Sequence, residues 1–182
     1  MDLNAGYCLG LAVHWIVLRL NGRDYAYSDN RALSPSFTTE GATDQATFAA
    51  TYDKLVPRRA QDDPIQKIEI TALNDALRPY RMKQWGSYDV NARKPEVDFF
   101  FRCAKTLRGP AIIVWRGSGG AHATALDARM TEGRFNYFDA NFGHFQIAGH
   151  LRFAGWFNSY LAHSQYATAF EQVQAYFPIG IA

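Results

Sequence analysis

The chain has 182 residues, 48% of them hydrophobic and 15% aromatic, which is enough for the buried core of one globular domain and excludes extensive disorder. Its 19 Lys and Arg residues against 17 Asp and Glu give a formal net charge of +2, too balanced to favour nucleic acid or an anionic membrane as the main partner. The two cysteines, Cys8 and Cys103, form no CxxC pair and do not indicate a zinc site. One disulfide and two free thiols are both compatible with this composition.

The first element is the apolar segment 8–18 (CLGLAVHWIVL), which is too short to span a bilayer and predicts a core helix. Leu11, Trp15 and Leu18 recur at the spacing of one helix face, and Asn21-Gly22 predicts its end. Gly6 and Gly10 bracket Cys8, which places the cysteine in the first turn. The segment has no basic region before it and no cleavage site after it, so we expect no signal peptide.

The middle of the chain predicts a loop followed by three helices. Residues 28–42 are rich in small and polar types and predict the loop. The helices are expected over 45–55, capped by Thr43 or Asp44, then from Asp63-Pro64 to Leu77, and again from Pro95. Cys103 falls on the last of these helices, as a buried and inert thiol.

After Gly109-Pro110 the pattern changes to short strands. We predict strands over 111–116, 121–130, 134–139 and 144–148, a helix over 151–162 and a final strand over 171–179. The sequence thus indicates an α+β protein, a single domain over 1–182 in which N-terminal helices (about 1–108) pack on a C-terminal antiparallel sheet (about 109–182).

Three residues carry chemistry in this arrangement. A cysteine at a helix N-terminus lies at the positive end of the helix dipole, which favours the nucleophilic thiolate. His122 begins the second predicted strand between two alanines that leave room for its ring. Asp139 ends the third strand, where it can orient that ring toward Cys8. We therefore predict a Cys8–His122–Asp139 triad, with no metal and no organic cofactor.

The segments GYCLGLAVHW, GPAIIVWRGSGGAHATAL and FDANFGHFQI resemble the YopT/AvrPphB family of bacterial effector cysteine proteases. The resemblance implies a papain-like fold, a triad of Cys8, His122 and Asp139, and an oxyanion hole formed by Asn4 and the Cys8 N–H. Ala140 replaces the proline that the family usually has after the aspartate. The resemblance further implies delivery by a specialised secretion system and a protein substrate in a host or target cell. We expect a monomer with no membrane span.

Other interpretations remain open at the level of sequence. His144 is a rival base, Asp139 is also a typical turn residue, and His122 alone fits a structural role. The same triad serves papain-like glutamine deamidases and amidases, and a non-catalytic interaction module can keep the fold.

Overall fold

The computed structural model describes residues 6–23, 34–58, 64–90, 109–118, 120–129 and 133–180. Five α-helices, two short 3₁₀ helices and six strands lie within these residues. In chain order they are α1 (Cys8–Leu20), α2 (Pro35–Leu55), a 3₁₀ turn (Val56–Arg58), α3 (Ile65–Leu77), a 3₁₀ turn (Arg78–Tyr80), β1 (Met82–Val90), β2 (Pro110–Gly117), β3 (Gly120–Asp127), β4 (Arg134–Asp139), β5 (Gly143–Ala148), α4 (His150–Ser164), α5 (Tyr166–Ala169) and β6 (Gln172–Gly180).

Helix α1 forms as predicted and is the centre of the helical layer. Every residue from Leu9 to Val17 is buried, because α2 covers one side of the helix and the sheet covers the other. Its Trp15 ring stacks on Phe138 of β4. The helix ends at Leu20, and Gly22 follows with a φ of +67° that suits glycine. A helix enclosed in this way holds its first residue in a fixed place relative to the sheet.

Helix α2 corrects the predicted loop over 28–42. Residues 35–42 are helical, and residues 28–33 lie outside the described residues. The helix begins at Ser34-Pro35, where the Ser34 hydroxyl accepts a hydrogen bond from the Phe37 N–H (3.2 Å). Thr43 and Asp44, predicted as the cap, lie in the middle of the 21-residue helix. The start of the helix is thus marked by a capping serine followed by a proline at the first helical position. This local signal outweighs the small and polar residues of the segment, which had indicated a loop.

Helix α3 ends at Leu77 as predicted, and strand β1 follows it without having been predicted. Pro64 is the N-cap residue of α3, and Asp63 lies outside the described residues. Strand β1 falls inside the part predicted to be helical; its register shifts between Gln84 and Gly86, which breaks the alternation that would have revealed it. The helix predicted from Pro95, with Cys103, also lies outside the described residues.

The six strands form one antiparallel sheet in the order β1-β6-β2-β3-β4-β5. The predicted meander and helix 151–162 are present, and the final strand β6 inserts between β1 and β2 rather than extending the meander. Alternate residues of β2 enter two cores: Ile112 and Val114 face α1–α3, whereas Ile113 and Trp115 face α4. The predicted α+β class, with helices packed on an antiparallel sheet, is confirmed.

Candidate active site

Cys8 is the first residue of α1 and carries a free, half-buried thiol. Its N-cap residue is Tyr7, whose carbonyl accepts the Leu11 N–H at 2.9 Å. The N–H groups in the first turn of a helix have no acceptor within the helix, so they point outward past the cysteine with the positive end of the dipole. A negatively charged group beside the first turn of α1 is therefore stabilised.

His122 lies next to Cys8 and connects it to Asp139. Its Nε2 is 3.1 Å from Asp139 Oδ1, and the ring also forms a hydrogen bond with the Cys8 side chain. Since an ionised carboxylate only accepts hydrogen bonds, Nε2 carries the proton given to Asp139 and Nδ1 remains for the sulfur. Burial lowers the pKa of His122, but the hydrogen bonds with Asp139 and Cys8 and their negative charge outweigh it and raise the pKa to about 9. The ring therefore holds its proton more firmly than an ordinary histidine does.

Asp139 is brought to His122 by the register of two strands. It pairs with Thr124, two positions along β3 from His122, and residues two apart on a strand face the same side of the sheet. The side chain is fully buried, and the Asn141 N–H donates to its Oδ1 at 2.7 Å. Burial raises the pKa of Asp139, but the hydrogen bond from His122 and the charge of that ring outweigh it and hold the pKa below its usual value. Asp139 is thus a buried carboxylate that is hydrogen-bonded both to the His122 ring and to the turn that follows β4.

Two tyrosines that the sequence analysis did not single out complete the surroundings of Asp139. The hydroxyls of Tyr160, on α4, and Tyr166, the first residue of α5, both donate to Asp139 Oδ2, the latter at 2.9 Å. The Tyr166 ring also meets the His122 ring edge to face, with 5.2 Å between centroids. Neither tyrosine lies near Cys8, His122 or Asp139 in sequence, so only the packing of α4 against the sheet reveals them.

The first turn of α1 is fixed by α2 through Gly10. The Gly10 N–H donates to the buried Gln45 Oε1 at 3.0 Å, and a Cβ at Gly10 would lie 1.9 Å from the Gly41 carbonyl oxygen. The missing side chain of Gly10 permits the close crossing of α1 and α2, while Gly6 has open space around its Cα.

The remaining predicted candidates lie elsewhere or outside the described residues. Asn4, expected in the oxyanion hole, belongs to the residues that the structure does not describe. His144, the rival base, contacts Asn136 Oδ1 (3.2 Å) and the ring of Trp15, about two helical turns from Cys8. His14 is held by Glu40 (2.8 Å) on α2, away from the sulfur. His122 is thus the histidine that the fold brings to Cys8.

Neither a metal centre nor a membrane-crossing helix is found in the described part of the chain. No three or more His, Cys, Asp or Glu side chains there are grouped so that they could hold a metal ion. Among the same residues, no helix combines the length and apolar character needed to cross a bilayer.

The fold is that of papain-like cysteine proteases, as the sequence resemblance implied. One similar solved structure is the Pseudomonas avirulence protein AvrPphB, with a TM-score of 0.72 at 16% identity, covering 100% of this chain and 95% of that chain. Another is the ubiquitin-specific protease encoded by the murine cytomegalovirus tegument protein M48, solved in complex with a ubiquitin-based suicide substrate (TM-score 0.54, 15% identity, 96% of this chain and 78% of that chain). No protein-family model and no curated protein matches the sequence. At this level of identity, the likeness establishes the fold.

Proposed function

We propose that this chain is a cysteine protease in which Cys8 is the nucleophile, His122 the general acid and base, and Asp139 the residue that orients the histidine. The observation that carries the proposal is the continuous set of contacts from a thiol at a helix N-terminus, through one imidazole, to a buried carboxylate. These are the roles that nucleophilic catalysis by cysteine requires.

The reaction that follows is acyl transfer through a thioester. The Cys8 thiolate attacks the carbonyl carbon of the scissile amide, and the oxyanion forms beside the Cys8 N–H at the start of α1, with Asn4 as the second proposed donor. The His122 imidazolium gives its proton to the leaving amine as the C–N bond breaks. Neutral His122 then takes a proton from water, whose oxygen attacks the thioester and releases the acid and Cys8.

The substrate we propose is a protein in a host or target cell, reached by specialised secretion. Support comes from the likeness to a Pseudomonas avirulence protein and to a ubiquitin-specific protease in complex with a ubiquitin-based suicide substrate, together with the sequence resemblance. Deamidation of glutamine uses the same steps with ammonia as the leaving group, so the experiment must separate the two reactions.

The thiol chemistry can be tested without a known substrate. Iodoacetamide labelling at pH 6.5, read by peptide mass spectrometry, should modify Cys8 well before Cys103, because the imidazolium of His122 stabilises the thiolate. His122→Ala should slow that labelling, whereas Asp139→Asn should impair turnover more than labelling. A Cys8 rate that is indifferent to His122 would exclude the proposed nucleophile and favour a non-catalytic module.

The reaction class can be read from extracts of target cells treated with wild type or with Cys8→Ala. New protein N-termini that appear only with wild type support proteolysis. Intact substrates that gain about one dalton instead identify a deamidase, since hydrolysis of a side-chain amide replaces NH₂ by OH. Cys8→Ala, His122→Ala and Asp139→Ala should each abolish or strongly reduce either activity, and a double variant should lose little beyond the worst single one.

A further inference from the structure

Asp139 receives hydrogen bonds on both of its carboxylate oxygens. Oδ1 accepts from the ring of His122 and from the Asn141 N–H, whereas Oδ2 accepts from the hydroxyls of Tyr160 and Tyr166. A buried carboxylate is costly unless such donors compensate for lost water. The two tyrosines thus donate two of these four hydrogen bonds, both to Oδ2, the oxygen that does not accept from His122.

The two hydroxyls come from elements that the chain places after the triad. Tyr160 lies on the buried face of α4, and Tyr166 follows the short break between α4 and α5, where Gln165 has a positive φ of 61°. Burial and the neighbouring Asp139 charge raise the pKa of Tyr166 above its ordinary value, so this hydroxyl keeps its proton and remains a donor. The Asn141 side-chain amide in turn donates to the Tyr166 hydroxyl (3.3 Å), which ties the tyrosine to the turn that carries Asp139.

We infer that Tyr160 and Tyr166 are positioning residues that hold Asp139 as an oriented anion and thereby keep Nδ1 of His122 directed at Cys8. The inference rests on the proposed function, since it gives these tyrosines a task in the same site. If Oδ2 lost both donors, the carboxylate would be held through Oδ1 alone, so it would be less firmly oriented and more easily protonated. Either change weakens the hold on His122 Nε2–H and favours the neutral ring.

A structural role alone would have different consequences. Both tyrosines also belong to the aromatic core between α4 and the sheet, where the Tyr160 ring stacks on Trp156 and the Tyr166 ring lies against Trp115. Phenylalanine preserves these ring contacts and removes only the hydroxyl. A tyrosine that merely fastens α4 to the sheet would therefore change stability without changing the titration of His122.

The test compares Tyr160→Phe, Tyr166→Phe and the double variant with wild type and with Tyr80→Phe. Tyr80 is a matched control, because its hydroxyl also donates to a buried carboxylate, Asp44 (2.9 Å), but in the helical layer. The ring protons of His122 are followed by NMR from pH 5 to 10, and Cys8 labelling by iodoacetamide is measured at pH 6.5. Folding of every variant is checked by near-UV circular dichroism.

We expect the double variant to lower the His122 pKa from about 9 toward its ordinary value of 6.5. Cys8 labelling should slow about tenfold, which corresponds to the free energy of one hydrogen bond to a charged group. The single variants should fall between wild type and the double variant, and they decide the matter if the double variant does not fold. Tyr80→Phe should change neither readout.

An unchanged His122 titration in folded variants would overturn the inference, whatever their loss of stability. Failure of this inference can be distinguished from failure of the proposed function. If His122→Ala leaves Cys8 labelling unchanged, the nucleophile assignment fails, whereas the NMR titration still reports whether the tyrosines act on His122 through Asp139.

Discussion

The raised pKa of His122 makes the stability of the fold depend on pH in a defined window. The pKa rises from 6.5 to about 9, and the side chain is only 10% exposed, so solvent screening removes little of the effect. At about 1.36 kcal/mol per unit, this rise corresponds to roughly 3 kcal/mol of stabilisation of the folded state. Because the folded protein keeps a proton that the unfolded chain releases, the contribution is complete below pH 6.5 and is lost as pH rises through about 9.

The comparison is between His122 and His122→Gln, both in a Cys8→Ala background that removes the titration of the thiol. The free energy of unfolding is measured by urea denaturation, followed by tryptophan fluorescence, at half-unit intervals from pH 5.5 to 9.5. Since Cys8 itself helps to raise the pKa of His122, we expect a smaller difference here, about 2 kcal/mol, which is lost as pH rises from 6.5 over a window that closes below pH 9. The constant cost of the substitution does not affect this slope.

Two parallel pH profiles would refute the argument. They would mean that His122 has the same proton affinity in the folded and unfolded chain, and thus that the hydrogen bond to Asp139 and its charge do not outweigh burial. A difference that grows rather than falls with pH would mean that burial dominates and that the ring is neutral in the folded protein.

Three further predictions concern the scaffold that holds the site. Gly10→Ala should destabilise the fold by about 1–3 kcal/mol and slow Cys8 labelling, because the new Cβ would meet the α2 backbone. The control Gly155→Ala, on the exposed side of α4 with open space around it, should stabilise the fold by about 0.5–1 kcal/mol. Equal effects of the two substitutions in urea denaturation would contradict the close crossing of α1 and α2. Asp127→Ala should lower the unfolding free energy by about 3 kcal/mol, because it leaves Arg19 and Arg129 without the buried carboxylate that they pair with at the end of β3. Cys8 labelling should stay unchanged. A loss below about 1 kcal/mol would show that these ion pairs are dispensable for stability. Ser34→Ala should lower the unfolding free energy by about 1 kcal/mol through loss of the α2 cap, and no change in thermal unfolding would place the start of that helix elsewhere.

The sequence by itself was sufficient for the elements whose signals are local. Cys8 at the start of a helix follows from an apolar run bracketed by glycines, and the β2–β5 meander follows from short alternating runs separated by turn residues. The order of Cys8, His122 and Asp139 also suggested their association, and the strand register accounts for the contact between the last two, since Asp139 pairs two positions from His122 on the neighbouring strand. Strand β1 was not predicted because its bulge interrupts the alternating pattern. The start of α2 was not predicted because the Ser34-Pro35 capping signal was overlooked.

Only the tertiary structure decided which residues surround Cys8, His122 and Asp139. Tyr160 and Tyr166 reach Asp139 because α4 packs on the face of the sheet opposite α1, and Gln45 reaches Gly10 because α2 crosses α1 at a pair of glycines. Such contacts depend on the packing of elements distant in sequence, and no period or motif in the chain encodes which hydroxyl or amide will meet a given carboxylate or N–H. The pKa of His122 also depends on the tertiary structure, because it is set by burial and by partners on α1 and β4 that only the folded chain brings together.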